Sequence, residues 1–172
     1  MAISIGQPNV GGFPAAIPRS EARVRAYQEA FEENRHRLYS LAFRMTDNEI
    51  AAEELMINTF CRAFALSPDP DLETLDRAFV AEVRELMPLG VLTLECAPAT
   101  ESAGLRRNTK RAELEAAVSE LPATERLIFL LHDVERCDHA RIGRLLGLSD
   151  EESAYGLHQA RLRLREILAS MA

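Results

Sequence analysis

Residues 138–165 read DHARIGRLLGLSDEESAYGLHQARLRLR, and this stretch decides the fold of the C-terminal part of the chain. Asp138 is of a residue type that caps helices, and apolar residues at helical spacing follow it. Gly147-Leu148-Ser149 predicts a tight turn, and Ser149 with Glu152 has the capping-box spacing that starts a second helix. Two short helices joined by a glycine-bearing turn are typical of a helix-turn-helix, although other packed helix pairs share this pattern.

The same helical spacing extends outward from this stretch over most of the chain. It predicts three helices before residue 88 and four after residue 108. It places Leu86, Val134 and Ala154 on the inward faces of their helices. Because no segment has a convincing strand pattern, the predicted class is all-α.

Two segments rich in proline and glycine interrupt the helical pattern. Residues 1–20 predict a flexible tail, and residues 89–108 predict a linker. The chain is therefore expected to form two small helical domains, residues 21–88 and residues 109–172, of which the second is the helix-turn-helix.

The chain is acidic overall and in both of its predicted domains. Its net charge is −7, with 14 acids against 8 bases in residues 21–88 and 11 against 9 in residues 109–172. Binding to phosphate backbones depends on Lys and Arg, so this balance counts against a protein that binds DNA alone. It counts less against a protein that a larger partner holds on DNA.

Cysteine usage and the N-terminal segment predict a cytoplasmic protein with no membrane association. Cys61, Cys96 and Cys137 are scattered and odd in number, which favours reduced thiols. Residues 1–18 lack the basic and apolar regions of a signal peptide, and no apolar run is long enough to span a bilayer.

No pattern predicts catalysis, a cofactor or a metal site. His132, Cys137 and His139 are close in sequence, but they lack metal-ligand spacing and a fourth ligand. Motifs for phosphate loops, zinc proteases and serine hydrolases are missing from the sequence. The protein is therefore expected not to be an enzyme.

Motifs in both halves resemble those of extracytoplasmic-function sigma factors, a branch of the sigma-70 family. The C-terminal motifs are Leu121-Pro122, Asp133-Val134-Glu135, Gly147-Leu148-Ser149 and Leu157-His158-Gln159-Ala160-Arg161. The N-terminal half shows looser matches at Leu38–Thr46, Ala52–Leu55 and Phe60–Phe64, so the resemblance spans residues 25–170. It implies an N-terminal domain that binds the clamp helices of RNA polymerase and melts the proximal promoter element. It also implies a C-terminal domain that reads the distal element.

The resemblance assigns expected roles to three groups of residues. The residues expected to contact polymerase are Glu53, Glu54, Asn58 and Arg62. The residues expected to act in promoter melting are Arg77, Phe79 and Arg84. The residues expected to bind DNA are Ser149, Ser153, Tyr155, His158, Gln159, Arg161 and Arg165.

The sequence departs from the family pattern at contact positions. Ile57 and Asn58 replace a Gln-Glu pair, and the third helix has no Trp for stacking on an opened strand. Ala154 and Gly156 occupy the positions of a Lys and an Arg in the recognition helix. Residues 150–152 bring three acids to the end that would enter the groove, where they repel phosphates or only stabilise the helix N-terminus.

Three functions remain open at this stage. The first is a sigma factor that directs RNA polymerase to promoters and binds DNA weakly when free. The second is a sigma-like regulator without promoter recognition, which binds an anti-sigma factor or polymerase. The third, a helix-turn-helix repressor that acts alone, would leave the motifs in residues 25–66 unexplained.

Overall fold

The computed structural model describes residues 19–90 and 109–171. These residues are helical as predicted, and no strand occurs among them. The predicted tail and linker lie outside the described residues, except for the last two positions of the tail and the first two of the linker. The helices are α1 (Arg19–Thr46), α2 (Glu49–Leu66), α3 (Leu72–Leu86), α4 (Arg111–Ser119), α5 (Ala123–Phe129), α6 (His139–Leu146) and α7 (Asp150–Ser170).

Helices α1, α2 and α3 pack around a shared apolar centre. Asn48 caps α2 by accepting a hydrogen bond from the Ala51 N–H at 2.9 Å, and Asp71 caps α3 by accepting one from the Thr74 N–H at 2.8 Å. Burial of each large side chain contributes roughly 1.5–3 kcal/mol to folding. The buried residues of this centre include Leu38, Leu41, Met45, Leu55, Phe60, Ala63, Leu75, Phe79 and Val83.

Helices α4 to α7 form the C-terminal half, in which α7 packs against α4, α5 and α6. Pro122 occupies the N-cap position of α5, where its missing N–H is not needed. The buried residues of this half include Ala117, Val118, Leu121, Leu127, Ile128, Leu130, Leu131, Ile142, Leu146, Leu157, Ala160 and Leu164.

A π-helical turn, Leu130–Val134, continues α5. The Glu135 N–H donates to the Leu130 carbonyl at 3.0 Å, which is a five-residue step. Because such a turn adds a residue to the helical repeat, the side chains after it rotate relative to an α-helix. Val134, the last residue of this turn, is 40% exposed, so its predicted inward position is wrong.

Two other inward assignments are also wrong. Leu86, in the last turn of α3, is 52% exposed and lines an open groove between α2 and α3. Ala154 is exposed and Ser153 is fully buried in its place. The rest of the apolar stripe of α7 is buried at Leu157, Ala160 and Leu164, so the difference is confined to the start of the helix.

The two halves pack against each other. Helix α1 contacts α4 and α5, and α3 contacts α6. Arg126 of α5 donates to the Met45 carbonyl near the end of α1 at 2.7 Å, and the Thr124 hydroxyl donates to the Gly90 carbonyl at 3.0 Å. The buried apolar residues of both halves form a continuous cluster.

Candidate nucleic-acid interface

Helices α6 and α7 and the turn between them have the geometry of a helix-turn-helix. Gly147 ends α6 with φ of 71°, a left-handed conformation that favours glycine. The N–H groups of Gly147 and Leu148 both donate to the Gly143 carbonyl, at 2.7 and 2.9 Å. A Cβ atom on Gly143 would lie 2.6 Å from the Leu148 carbonyl oxygen, so only glycine fits at position 143 without moving the turn.

The start of α7 is built by hydrogen bonds that occupy several of the predicted DNA-binding residues. Ser149 Oγ accepts from the Glu152 N–H at 3.1 Å, and the Ser149 N–H donates to the Glu152 carboxylate at 2.7 Å. The buried Ser153 hydroxyl lies 3.0 Å from His139 Nδ1, which ties α7 to α6. Gln159 is 7% exposed and donates to the Tyr155 hydroxyl at 2.7 Å. Ser153 and Gln159 therefore support the interface from within.

The other predicted DNA-binding residues are more accessible. His158 and Arg161 are exposed, while Tyr155 and Arg165 are partly exposed. The structure therefore brings Tyr155, His158, Arg161 and Arg165 to the surface of one helix, with Ser149 exposed at its cap.

Two of the three arginines on α7 are engaged by carboxylates of the same half. Arg161 donates to both oxygens of Asp133, at 3.1 and 2.6 Å. Burial opposes ionisation of Asp133, but the bonds from Arg161 and His132 outweigh it and hold the pKa of Asp133 below its ordinary value. Arg163 Nε lies 3.0 Å from the carboxylate of Glu125, which is 2% exposed. Burial raises the pKa of Glu125, and the charge of Arg163 acts in the opposite direction.

The end of α7 that would approach a major groove is acidic. Asp150, Glu151 and Glu152 are all exposed in its first turn. The capping box accounts for Glu152 as a helix-stabilising residue. Asp150 and Glu151 leave a negative tip that repels phosphate.

The residues predicted to contact polymerase lie on α2. Glu53, Glu54 and Asn58 are exposed, and Arg62 is partly exposed. Glu54 and Asn58 line a groove of about 190 Å³ between α2 and α3, together with Glu82, Glu85 and Leu86. Arg62 donates to Glu82 and Glu85 across this groove and so fixes α2 against α3.

Comparisons with known proteins match the same segments. Residues 111–164, from the start of α4 into α7, match the family described as Sigma-70, region 4. The chain is also 25% identical over 164 residues to the ECF RNA polymerase sigma factor SigE of Mycolicibacterium smegmatis. That alignment covers 87% of this chain and spans 64% of the length of the relative. The C-terminal segment is therefore similar to sigma-70 region 4, and the chain as a whole is similar to an extracytoplasmic-function sigma factor.

The residues predicted to act in promoter melting are not on a common surface. Arg77 is exposed and pairs with Glu73 at 3.2 Å. Phe79 is 1% exposed and belongs to the core of the N-terminal half, so its ring could meet a base only after local unfolding. Arg84 donates to the Leu146 carbonyl at the end of α6, at 2.6 Å.

Sequence reasoning missed the acids that engage the basic residues of this chain. Asp133 lies 28 residues from Arg161, and no local spacing rule links the two. The π-helical turn ahead of Glu135 determines where this part of the chain points, and apolar periodicity does not reveal such a turn. Asp76 is 2% exposed, and no local sequence signal distinguishes it from the exposed acids of α3.

The histidines considered as metal ligands pack against each other. The rings of His132 and His139 stack with centroids 4.7 Å apart. In residues 19–90 and 109–171, no group of three or more His, Cys, Asp or Glu side chains is arranged to hold a metal ion. A separate search of the described helices finds none that is both long and apolar enough to cross a bilayer.

Proposed function

We propose that this protein is a transcription initiation factor that directs RNA polymerase to promoters. In this proposal residues 21–88 form the domain that binds the polymerase core, and residues 109–172 form the domain that reads promoter DNA. The observation that carries the proposal is the helix-turn-helix of α6 and α7, which lies mostly within the segment similar to sigma-70 region 4.

The DNA-binding surface would be the outer face of α7. Tyr155 and His158 would meet base edges, while Ser149, Arg161 and Arg165 would meet the phosphate backbone. Ser153 and Gln159 would act by holding the helix in place. Because Arg161 already pairs with Asp133, the free protein would gain little from counterion release, and its affinity for DNA alone would be low.

The polymerase-binding surface would be the exposed face of α2. Glu54, Asn58 and Arg62 are spaced four residues apart and share one helical stripe, with Glu53 beside it. Carboxylates flanked by exposed apolar side chains such as Ile50 and Ile57 suit a partner helix with basic and apolar residues. Arg77 and Arg84 of α3 would meet the backbone of the opened strand.

The test is transcription by the cognate core polymerase from pooled fragments of bacterial genomic DNA. Sequencing the 5′ ends of the transcripts should show start sites that appear only when the protein is added and that share two upstream elements. His158→Glu on the outer face of α7 should abolish them. Glu166→Gln, an exposed position further along the same helix, should leave them unchanged. Start sites that survive His158→Glu at full level would refute promoter reading by this face.

A second function is favoured by the acidic tip and the paired arginines of α7. A sigma-like regulator without promoter recognition would bind polymerase or an anti-sigma factor and would leave DNA unread. It predicts that the protein co-purifies with the core polymerase or the anti-sigma factor, yet yields no new start sites in the transcription experiment. Loss of that co-purification on Glu54→Arg, with retention on Glu29→Arg of α1, would assign the binding to α2.

A further inference from the structure

The second turn of α7 carries a tyrosine whose hydroxyl is held by a buried amide. Gln159 Nε2 donates a hydrogen bond to the Tyr155 hydroxyl oxygen at 2.7 Å. Gln159 is 7% exposed, whereas Tyr155 is partly exposed. A buried side chain is confined to few rotamers, so the amide of Gln159 stays directed at Tyr155.

The bond from Gln159 determines what the Tyr155 hydroxyl offers to a ligand. A phenolic hydroxyl has one hydrogen to donate and an oxygen that accepts. Because the oxygen accepts from Gln159, the hydrogen remains to be donated elsewhere. Within residues 19–90 and 109–171, Tyr155 makes no second hydrogen bond. The hydroxyl is therefore a donor toward whatever meets the outer face of α7.

Tyr155 extends beyond its immediate neighbours on α7. Ala154 carries only a methyl group, and Gly156 is buried and has no side chain. Residues near the N-terminus of the second helix of a helix-turn-helix contact base edges in the major groove. In this turn of α7 a neutral hydroxyl, rather than a cation, is available for such a contact.

The bases differ in the polarity of the exocyclic group that they present in the major groove. Guanine O6 and thymine O4 accept hydrogen bonds, whereas adenine N6 and cytosine N4 donate them. A donor hydroxyl pairs with the first two groups. Against the other two, donor would face donor, and a polar group buried without its partner is costly.

We propose that Gln159 makes Tyr155 a hydrogen-bond donor toward DNA, so that α7 selects a keto base, guanine or thymine, opposite Tyr155. Gln159 is a positioning residue, because it contacts Tyr155 and acts on the base only through the tyrosine hydroxyl. The selection rests on the proposed function, since it specifies the chemistry of a residue that this function places against base edges.

Transcription from a randomised promoter library tests the selection. One promoter from the genomic experiment is randomised over its distal upstream element and transcribed by core polymerase with the protein, and the productive templates are sequenced. With the parent, one position should favour guanine and thymine over adenine and cytosine by about tenfold, equivalent to about 1.4 kcal/mol. Tyr155→Phe should abolish the preference at that position only.

Gln159→Glu is the decisive variant, because a carboxylate accepts and the Tyr155 hydroxyl would then donate inward. Its oxygen would face the DNA as an acceptor, so the preference should reverse by about tenfold toward adenine and cytosine. Tyr155→Phe combined with Gln159→Glu is the matched control, since it keeps the added charge and removes the hydroxyl. It should show no preference at that position.

Circular dichroism of each variant should retain the parent's helix content. If Gln159→Glu unfolds, Gln159→Met decides the question, because it removes the donor without adding charge and should reduce the keto preference to less than about threefold. A weaker transcript yield with an unchanged keto preference would show that Gln159 only supports the helix, and would overturn the proposal. A parent that transcribes selectively with no position sensitive to Tyr155→Phe would also overturn it. A parent that directs no transcription would reject the proposed function, and base selection by Tyr155 with it.

Discussion

Gly143→Ala is the sharpest test of the helix-turn-helix geometry. The new Cβ would lie 2.6 Å from the Leu148 carbonyl oxygen, 3.5 Å from its carbon and 3.6 Å from a carboxylate oxygen of Asp150. The first contact is backbone, so the turn itself must move. Overpacking of this kind costs about 1–3 kcal/mol. Alanine in place of glycine within a helix recovers roughly 0.5–1 kcal/mol. We expect the free energy of unfolding to fall by about 1–2 kcal/mol.

The assay is urea unfolding followed by circular dichroism, with thermal unfolding as a second readout. The expected loss corresponds to a decrease in Tm of about 2–8 °C for a protein of this size. Gly147→Asn is the control, because a Cβ at Gly147 meets no atom within 4 Å and asparagine tolerates the left-handed conformation there. The steric reasoning is refuted if Gly143→Ala is as stable as the parent, or if Gly147→Asn is the more damaging change.

Four further predictions concern α7 and α2. Ser149→Ala should lower the free energy of unfolding by about 1 kcal/mol in the same urea assay, because the capping box is lost. Arg161→Met should destabilise the protein by no more than about 1 kcal/mol near neutral pH, because its pair with Asp133 is partly exposed. The folded state lowers the pKa of Asp133, so the stability that the Asp133–Arg161 pair contributes is present above the ordinary pKa of about 4 and disappears as the pH falls below it. A difference in stability between the parent and Arg161→Met that persists at lower pH would contradict the pairing. In a salt titration of DNA binding, two phosphate contacts, from Arg161 and Arg165, should make log K fall by about 2 per decade of salt. Glu151→Lys should bind DNA more tightly, because it replaces an acid at the tip of α7 with a base. A pull-down of core polymerase should be lost on Glu54→Arg with the fold intact, and retention would remove α2 from the proposed interface.

Local sequence signals were sufficient for the helices and for the turn that defines the motif. Ser149 and Glu152 predicted the start of α7, and Gly147 predicted the turn before it, since capping and left-handed backbone depend on residues within one turn of each other. Apolar spacing predicted the all-α class for the same reason. It failed at Val134, which lies within a π-helical turn, because such a turn changes the helical repeat and apolar spacing does not reveal it.

The candidate site was less accessible to sequence reasoning than the fold. The residue types on the outer face of α7 could be named, but Ser153 and Gln159 proved to be buried supports, and Phe79 proved to be core. Their exposure depends on which neighbouring helix covers them, and helix periodicity alone locates the buried face of a helix only to within a residue or two. The tertiary structure also decided which charges are paired, because Asp133, Glu125 and Asp76 contact arginines that lie 28, 38 and 65 residues away in sequence. Sequence alone therefore determined that this chain forms a helix-turn-helix with few basic residues. Only the tertiary structure decided that most of those basic residues are already paired, because ion pairs form between side chains that folding brings together rather than between neighbours in the chain.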